Sequence, residues 1–221
     1  MSDQSNGRIK SQREDEETNS RSGMENRDKL LLRMKRTKSN RFNYAERLRY
    51  KAEIKSHTIN ILSVFVILSG VYFLAYSEGA SFETIKLFGF IVTGISVSSI
   101  VLSLQNPVSE LSRRAADAHR CARDISGLYG ILQEGIKRPE EVRAEYEGIL
   151  NQYDNHNNID NWKTLYERKS DFPDDSKEVN WFRGVFLYWA SVVSAPISAA
   201  AMLVTILLLW RAIIYLNTLP S

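Results

Sequence analysis

The sequence predicts an all-α integral membrane protein, in which a transmembrane helical hairpin extends into a cytoplasmic helical bundle and a third transmembrane helix follows toward the C-terminus. Three observations predict this fold class. The apolar residues are gathered into three long blocks that carry no charge. Between the second and third blocks, apolar residues recur with the period of a helix, and no segment alternates as a half-buried strand does.

The chain begins with a polar segment, residues 1–28, that is rich in Ser, Asn, Arg and Glu, a composition typical of disorder. It has no apolar core, which argues against a signal peptide. A single cysteine, Cys121, excludes an internal disulfide. The expected organisation is a tail, one helical domain, a linker, a third membrane helix and a second tail, at residues 1–28, 29–170, 171–184, 185–210 and 211–221.

A cytoplasmic helix is expected at about residues 40–57, and a basic stripe precedes it. The basic stripe consists of Arg33, Lys35, Arg36 and Lys38. One interpretation is contact with nucleic acid or with anionic lipid headgroups. The nearby aromatic residues keep nucleic acid in consideration. The other interpretation is a topology signal on a solvated helix face.

The three apolar blocks predict membrane spans at about residues 58–76, 87–104 and 185–210. A bilayer core of about 30 Å needs about 20 apolar residues in a helix, and each block comes close to that length or exceeds it. Basic residues precede the first block and follow the second, so the N-terminus and the central segment are expected in the cytoplasm. The third block has Arg183 on one side and Arg211 on the other, which leaves the side of the C-terminus open.

Two further cytoplasmic helices are expected, at about residues 106–134 and 139–154. In the first, apolar residues recur at spacings of four and three, which is typical of a coiled-coil seam. The helix at 139–154 is its expected packing partner, opened by Pro139 and two glutamates. The seam consists of Leu111, Ala115, Ala118, Ala122, Ile125, Tyr129 and Leu132.

The third block carries small and hydroxyl residues at helical spacing. Small residues let membrane helices approach closely, which is one interpretation. The other is that an oligomer places them around a narrow pore. The residues concerned are Ser191, Ser194, Ala195, Ser198 and Thr205.

No motif for catalysis or cofactor binding is found: there is no phosphate-binding glycine loop, zinc-protease motif or nucleophile elbow. The stretch YDNHNNIDNW, residues 153–162, faintly resembles a calcium loop. Such a loop needs Gly at its sixth position and Glu at its twelfth, where this chain has Ile159 and Leu165. The sequence therefore predicts a protein that is not an enzyme and holds no metal or other cofactor.

The order of segments is itself distinctive. After the hairpin comes LSRRAADAHRCARDISGLYGIL, then a helix that contains EYEGILNQYDNH and is followed by Asp160. This arrangement, with Tyr146, Asn155 and His156, resembles the SLATT superfamily, the two-span effector domains associated with bacterial nucleotide-sensing conflict systems. The resemblance covers about residues 30–169, and the third span resembles the branch found beside reverse transcriptases.

The resemblance implies a membrane effector of antiphage defence in the bacterial inner membrane. Such effectors are expected to oligomerise and to permeabilise the bilayer when a sensor partner, a nucleotide cyclase or reverse transcriptase system, is triggered. The alternative is a membrane-anchored scaffold that recruits a cytoplasmic partner without conducting. In either case Asn155, His156 and Asp160, with Tyr146, are expected to pin the end of one helix against its neighbours.

Overall fold

The computed structural model describes the backbone of residues 3–76, 81–105, 107–153, 157–201, 204, 205, 208 and 211, and nearly all side chains from Met24 onward within these ranges. All regular structure in this part of the chain is helical, which confirms the all-α prediction. The elements are α1 (Asp3–Tyr76), α2 (Phe82–Leu104), α3 (Val108–Gln133), α4 (Pro139–Leu150), α5 (Asn158–Glu167), a π-helical turn (Phe182–Phe186) and α6 (Leu187–Val192).

Helix α1 is one uninterrupted helix of 74 residues. It includes the expected cytoplasmic helix, the first span and, from Asp3, the segment expected to be disordered. The chain has no proline before Pro107, so nothing in this segment removes a backbone donor or clashes with the preceding turn. Acid–base pairs four residues apart, such as Glu25 with Lys29, add local support to the helix.

The C-terminal part of α1 and helix α2 form an apolar hairpin, and both pass a length and composition test for crossing a membrane. Between Ile61 and Leu74 of α1, eight large apolar side chains are 52–83% exposed. Burying such a side chain is worth about 1.5–3 kcal/mol. Exposing eight to water would cost roughly 12–24 kcal/mol, more than the usual 5–15 kcal/mol net stability of a domain. The exposed apolar surface of α1 suits a bilayer rather than water, and α1 and α2 are the two candidate membrane spans in the described part of the chain.

Helices α2 and α3 follow each other closely along the chain, since α2 ends at Leu104 and α3 begins at Val108. Helix α3 begins at Val108, directly after Pro107. On α1, the buried Lys55 donates a hydrogen bond to the carbonyl of Gln105. A cation at the C-terminal end of α2 complements the helix dipole. This contact ties the two helices together where the hairpin joins the bundle.

The seam of α3 is buried as predicted, apart from a half-buried Tyr129, but its principal partner is α1 rather than α4. Its first half packs against Tyr44, Ala45, Leu48 and Ala52 of α1. Its second half also meets α4, through Val142 and Tyr146. The reason is length: α4 has 12 residues against 26 in α3, about 18 Å against about 39 Å, so it reaches only the far half.

The segment expected to be a linker, residues 171–184, packs against the bundle. Phe172 and Val179 are buried with Leu165 of α5. The chain then enters the π-helical turn, which continues into α6.

The third apolar block is not one straight helix. The helical segments Phe182–Val192 and Ser194–Ala201 meet at a bend of 61°. Pro196 explains the bend, because its ring clashes with the carbonyl four residues earlier, at Val192. The pair counts as a third candidate span only if the bent helix is taken as one span.

Candidate coupling site between the helical bundle and the membrane helices

Asp160, in the first turn of α5, is fully buried. Its carboxylate accepts two hydrogen bonds from Arg47 of α1, from Nε at 2.8 Å and from Nη2 at 2.9 Å. It also accepts from the backbone N–H of Asn157, whose own side chain caps the same helix end. A two-pronged pair of this kind fixes geometry, and its members are costly to separate when buried.

Polar contacts extend the pair along the interface of α1 and α5. The Asn43 amide donates to the Thr164 hydroxyl at 2.9 Å. The Lys163 ammonium lies 3.1 Å from the carboxylate of Glu46. The Arg47 guanidinium also lies over the Tyr44 ring, 5.4 Å from its centroid. Helix α5 is thus held to α1 by hydrogen bonds and an ion pair between side chains, most of which are buried or half-buried.

Helix α5 also contacts the π-helical turn and α6, where the chain enters the third apolar block. A Cβ placed on Gly184, in the π-helical turn, would lie 2.4 Å from Cβ of Tyr166 in α5, so the two backbones approach at this glycine. Tyr188 of α6 is fully buried and donates a hydrogen bond to the Asn43 carbonyl at 3.2 Å. Lys163 lies 4.0 Å from the centroid of the Tyr188 ring. We call these contacts among α1, α5, the π-helical turn and α6 the coupling site.

Of the other residues in the predicted signature, Tyr146 is placed within the bundle, whereas Asn155 and His156 lie outside the described residues. Tyr146 is buried, and its hydroxyl is 2.8 Å from that of Thr37 on α1. Burial raises the pKa of Tyr146, and the hydrogen bond to Thr37 partly opposes that shift. Tyr146 therefore fastens α4 to α1 as a neutral phenol.

The basic stripe of α1 faces other parts of the chain. Lys35 pairs with Asp171 at 2.8 Å, and Arg36 with Asp175 at 2.6 Å. The hydrogen bond from Lys35 is the main cause that lowers the pKa of Asp171.

The other two members of the basic stripe contact both acid and aromatic groups. Arg33 pairs with Glu147 at 2.9 Å and lies over the Tyr146 ring. Lys38 lies 4.7 Å from the centroid of the Tyr129 ring, and burial lowers its pKa. These contacts favour an intramolecular role for the stripe over one in nucleic-acid binding.

A charge swap tests that role. Lys35→Glu places a like charge against Asp171, so we expect the melting temperature of the purified protein to fall by a few degrees, with a weaker effect at high salt. The double variant Lys35→Glu, Asp171→Lys should recover most of the loss. If the protein instead needs a positive charge at position 35 to bind nucleic acid, the double variant recovers the melting temperature but does not recover binding to nucleic acid.

The hydroxyl groups of the third block donate hydrogen bonds to backbone carbonyls of the same block. Ser191, Ser194 and Ser198 each donate to the carbonyl three residues earlier, at 2.7, 3.1 and 2.8 Å. Thr205 donates to the carbonyl of Ala201. Ala195 is buried, as close helix packing requires.

Sequence reasoning selected Asp160 but missed its partner and the helix that carries it. The pattern Asn157-x-x-Asp160 before Trp162 and Leu165 is similar to a capping box that opens an amphipathic helix, and it could have predicted α5. Nothing local marks Arg47 among the many basic residues of α1. Among the described residues, no three His, Cys, Asp or Glu side chains are grouped to hold a metal ion.

Comparison with curated proteins and with solved structures gave no significant match. The family of SMODS and SLOG-associating two-transmembrane effector domains, family 5, matches residues 24–211. The match begins in the part of α1 ahead of the basic stripe, includes both apolar spans and the coupling site, and ends at residue 211, just after the third apolar block. The chain therefore belongs to family 5 of the SMODS and SLOG-associating two-transmembrane effector domains, a membrane effector family of conflict systems.

Proposed function

We propose that this protein is the membrane effector of a bacterial antiphage system, and that it oligomerises and permeabilises the inner membrane when a sensor partner is triggered. Family membership and the exposed apolar hairpin support a membrane effector. The observation that carries the triggering mechanism is the coupling site, where the buried Asp160 of α5 holds Arg47 of α1.

Helix α1 supplies the mechanical link from that site to the bilayer. It continues without a break from Arg47 to Thr58, where the first span begins, a distance of about 16 Å at 1.5 Å per residue. Because α1 is a single helix here, a shift imposed on it by α5 moves the first span as well. A partner that displaces α5 would act at the same time on the entry to the third block, since Tyr166 and Gly184 touch.

The direct experiment is to express the protein with its neighbouring genes in bacteria, apply the trigger, and follow a dye that reports membrane potential. We expect rapid depolarisation that depends on this chain. Intact potential after triggering, with the protein present in the membrane fraction, would contradict permeabilisation.

The second candidate function is a membrane-anchored scaffold that recruits a cytoplasmic partner without conducting. One observation favours it: the hydroxyl groups of Ser191, Ser194 and Ser198 bond their own helix, as expected for helix packing. A scaffold also accounts for the tightly fastened cytoplasmic bundle.

The variant Ser194→Leu, Ser198→Leu separates the two functions. If these residues line a pore, we expect triggered depolarisation to fall at least tenfold, because leucine narrows the path and removes its polar groups, while the oligomer keeps its size in crosslinking. If the protein is instead a scaffold, we expect the double variant to recruit its cytoplasmic partner as well as the unmodified protein does. The control is Ser63→Leu on the first span, an exposed serine whose hydroxyl also bonds a carbonyl of its own helix.

The proposal also includes an orientation of the protein in the membrane and a set of partners. The basic residues ahead of the first span favour a cytoplasmic N-terminus and bundle. The signal-producing partner is a nucleotide cyclase or a reverse transcriptase system, and the active unit is a homo-oligomer. Direct contact with nucleic acid is not needed, because the members of the basic stripe already contact groups of this chain.

A further inference from the structure

Four large aromatic side chains lie exposed at the start of the bent third block. They are Trp181, Phe182, Phe186 and Trp189, which are 44–57% exposed. The Phe182 and Phe186 rings stack with centroids 4.9 Å apart, and the Trp181 ring lies 6.1 Å from that of Phe186. We call these four residues the aromatic patch. Exposed apolar patches of this kind mark surfaces that contact a partner or a membrane.

The opposite side of the same segment is buried. We call Phe182–Val192 the first leg of the third block and Ser194–Ala201 its second leg. On the first leg, Gly184, Tyr188 and Val192 recur four residues apart and are all buried. The first leg is therefore apolar on both sides. A helix that is apolar all round belongs in a protein core or a membrane, so the aromatic patch needs an apolar environment.

The bend between the two legs places the first leg at the edge of the bilayer. The second leg runs beside the membrane helix α2, since Ala201 lines a cavity with Val97 and Val101 of that helix. Helices that cross a membrane are tilted by about 20° on average from its normal. A second leg along the normal would leave the first leg about 30° from the membrane plane, because the two legs meet at 61°.

Contacts with α1 show which edge of the first leg lies nearer to the spans. Tyr188 donates its hydrogen bond to the carbonyl of Asn43. The ring of the next residue, Trp189, lies 5.7 Å from that of Tyr50, which is about 10 Å further along α1 toward the first span. Tyr50 precedes Thr58 by about 12 Å of helix, and the headgroup layer is about 5–8 Å thick. Trp189 therefore lies close to the headgroup layer.

We propose that the aromatic patch docks into the interfacial layer of the bilayer, so that the first leg is a surface anchor and only the second leg enters the hydrocarbon core. Tryptophan is enriched at this layer, where its ring is partly apolar and partly wet. The exposed Arg183 within the first leg suits a lipid phosphate.

The anchor would also position the coupling site. Gly184 lies in the first leg and touches Tyr166, so docking of the patch would fix the distance of α5 from the membrane surface. The proposal needs only that α1 and α2 lie in a bilayer. It does not depend on whether the protein conducts.

The test uses the full chain in lipid nanodiscs with Trp189 as its only tryptophan, because phenylalanine replaces the other three. Bromine atoms on lipid tails quench a tryptophan only at short range. We expect lipids brominated near the headgroup end of the tail to quench Trp189 at least twofold more strongly than lipids brominated near the far end. Dissolved acrylamide should quench it weakly. If this variant fails to fold, the fluorescence that Trp189→Phe removes from the otherwise unmodified protein gives the same comparison.

The control reporter is Tyr129→Trp, with phenylalanine at all four native tryptophan positions. Tyr129 is half-buried in α3, about 32 Å of helix from Val108, so neither brominated lipid should quench it. Stronger quenching of Trp189 by bromine at the far end of the tail would place the first leg inside the hydrocarbon core. Quenching by acrylamide alone would leave the patch in water, and quenching by none of the three would place a second copy of the chain over it. Each of these results would overturn the proposal.

Discussion

Replacing Asp160 with alanine is expected to lower the free energy of unfolding by about 3–5 kcal/mol. The carboxylate is fully buried and holds two hydrogen bonds from Arg47, so its removal leaves a buried guanidinium without its principal acceptor. The change also removes one half of the capping box of α5. The measurement is thermal and urea unfolding of the purified protein in detergent, followed by tryptophan fluorescence.

The matched control is Asp174→Ala, which removes a carboxylate that is 90% exposed and pairs with Lys177, three residues further along the chain. We expect a change within about 0.5 kcal/mol, as for most surface substitutions. A loss for Asp160→Ala no larger than this control would show that the buried pair does not fasten α5 to α1.

Asp160→Asn separates stability from coupling. The amide oxygen can still accept from the Asn157 N–H, whereas the negative charge opposite Arg47 is lost. We expect a protein that folds at low temperature but depolarises the membrane several-fold more slowly after triggering. Full triggering by a folded Asp160→Asn protein would contradict the coupling role proposed for this pair.

The second large effect is expected from Gly184→Ala. The new methyl would lie 2.4 Å from Cβ of Tyr166, an atom fixed to the backbone of α5, so the π-helical turn and α5 must move apart. Overpacking of this kind costs about 1–3 kcal/mol, and the short contact places this site at the upper end of that range. We expect lower stability, with hydrogen exchange increased first at α5 and α6.

Gly127→Ala is the control for Gly184→Ala. Gly127 lies within α3, and a Cβ there meets no atom within 4 Å. In a helix interior alanine is favoured over glycine by about 0.5–1 kcal/mol, so this variant should gain stability. If Gly184→Ala behaves like Gly127→Ala, the close approach of α5 to the π-helical turn is not important for the fold.

These experiments concern one question, namely whether a change at the helical bundle reaches the membrane helices. In the structure α5 contacts both α1, which continues into the first span, and the turn that precedes the third block. Losing the Asp160–Arg47 pair weakens the first connection, and enlarging Gly184 weakens the second. If both variants fold and only one loses triggered depolarisation, that result identifies the connection through which the signal travels.

The sequence by itself determined the all-α class, the two spans of the hairpin and the buried face of α3, and it singled out Asp160. These depend on local order: an uncharged block of about 20 residues favours a helix that crosses a bilayer, and apolar residues three and four apart on a helix share one face. Only the tertiary structure decided which surfaces meet. Arg47 lies 113 residues from Asp160 along the chain. The seam of α3 packs mainly against α1, because α4 is too short to cover it. Pairings over such separations depend on helix length and direction in space, which local periodicity does not encode.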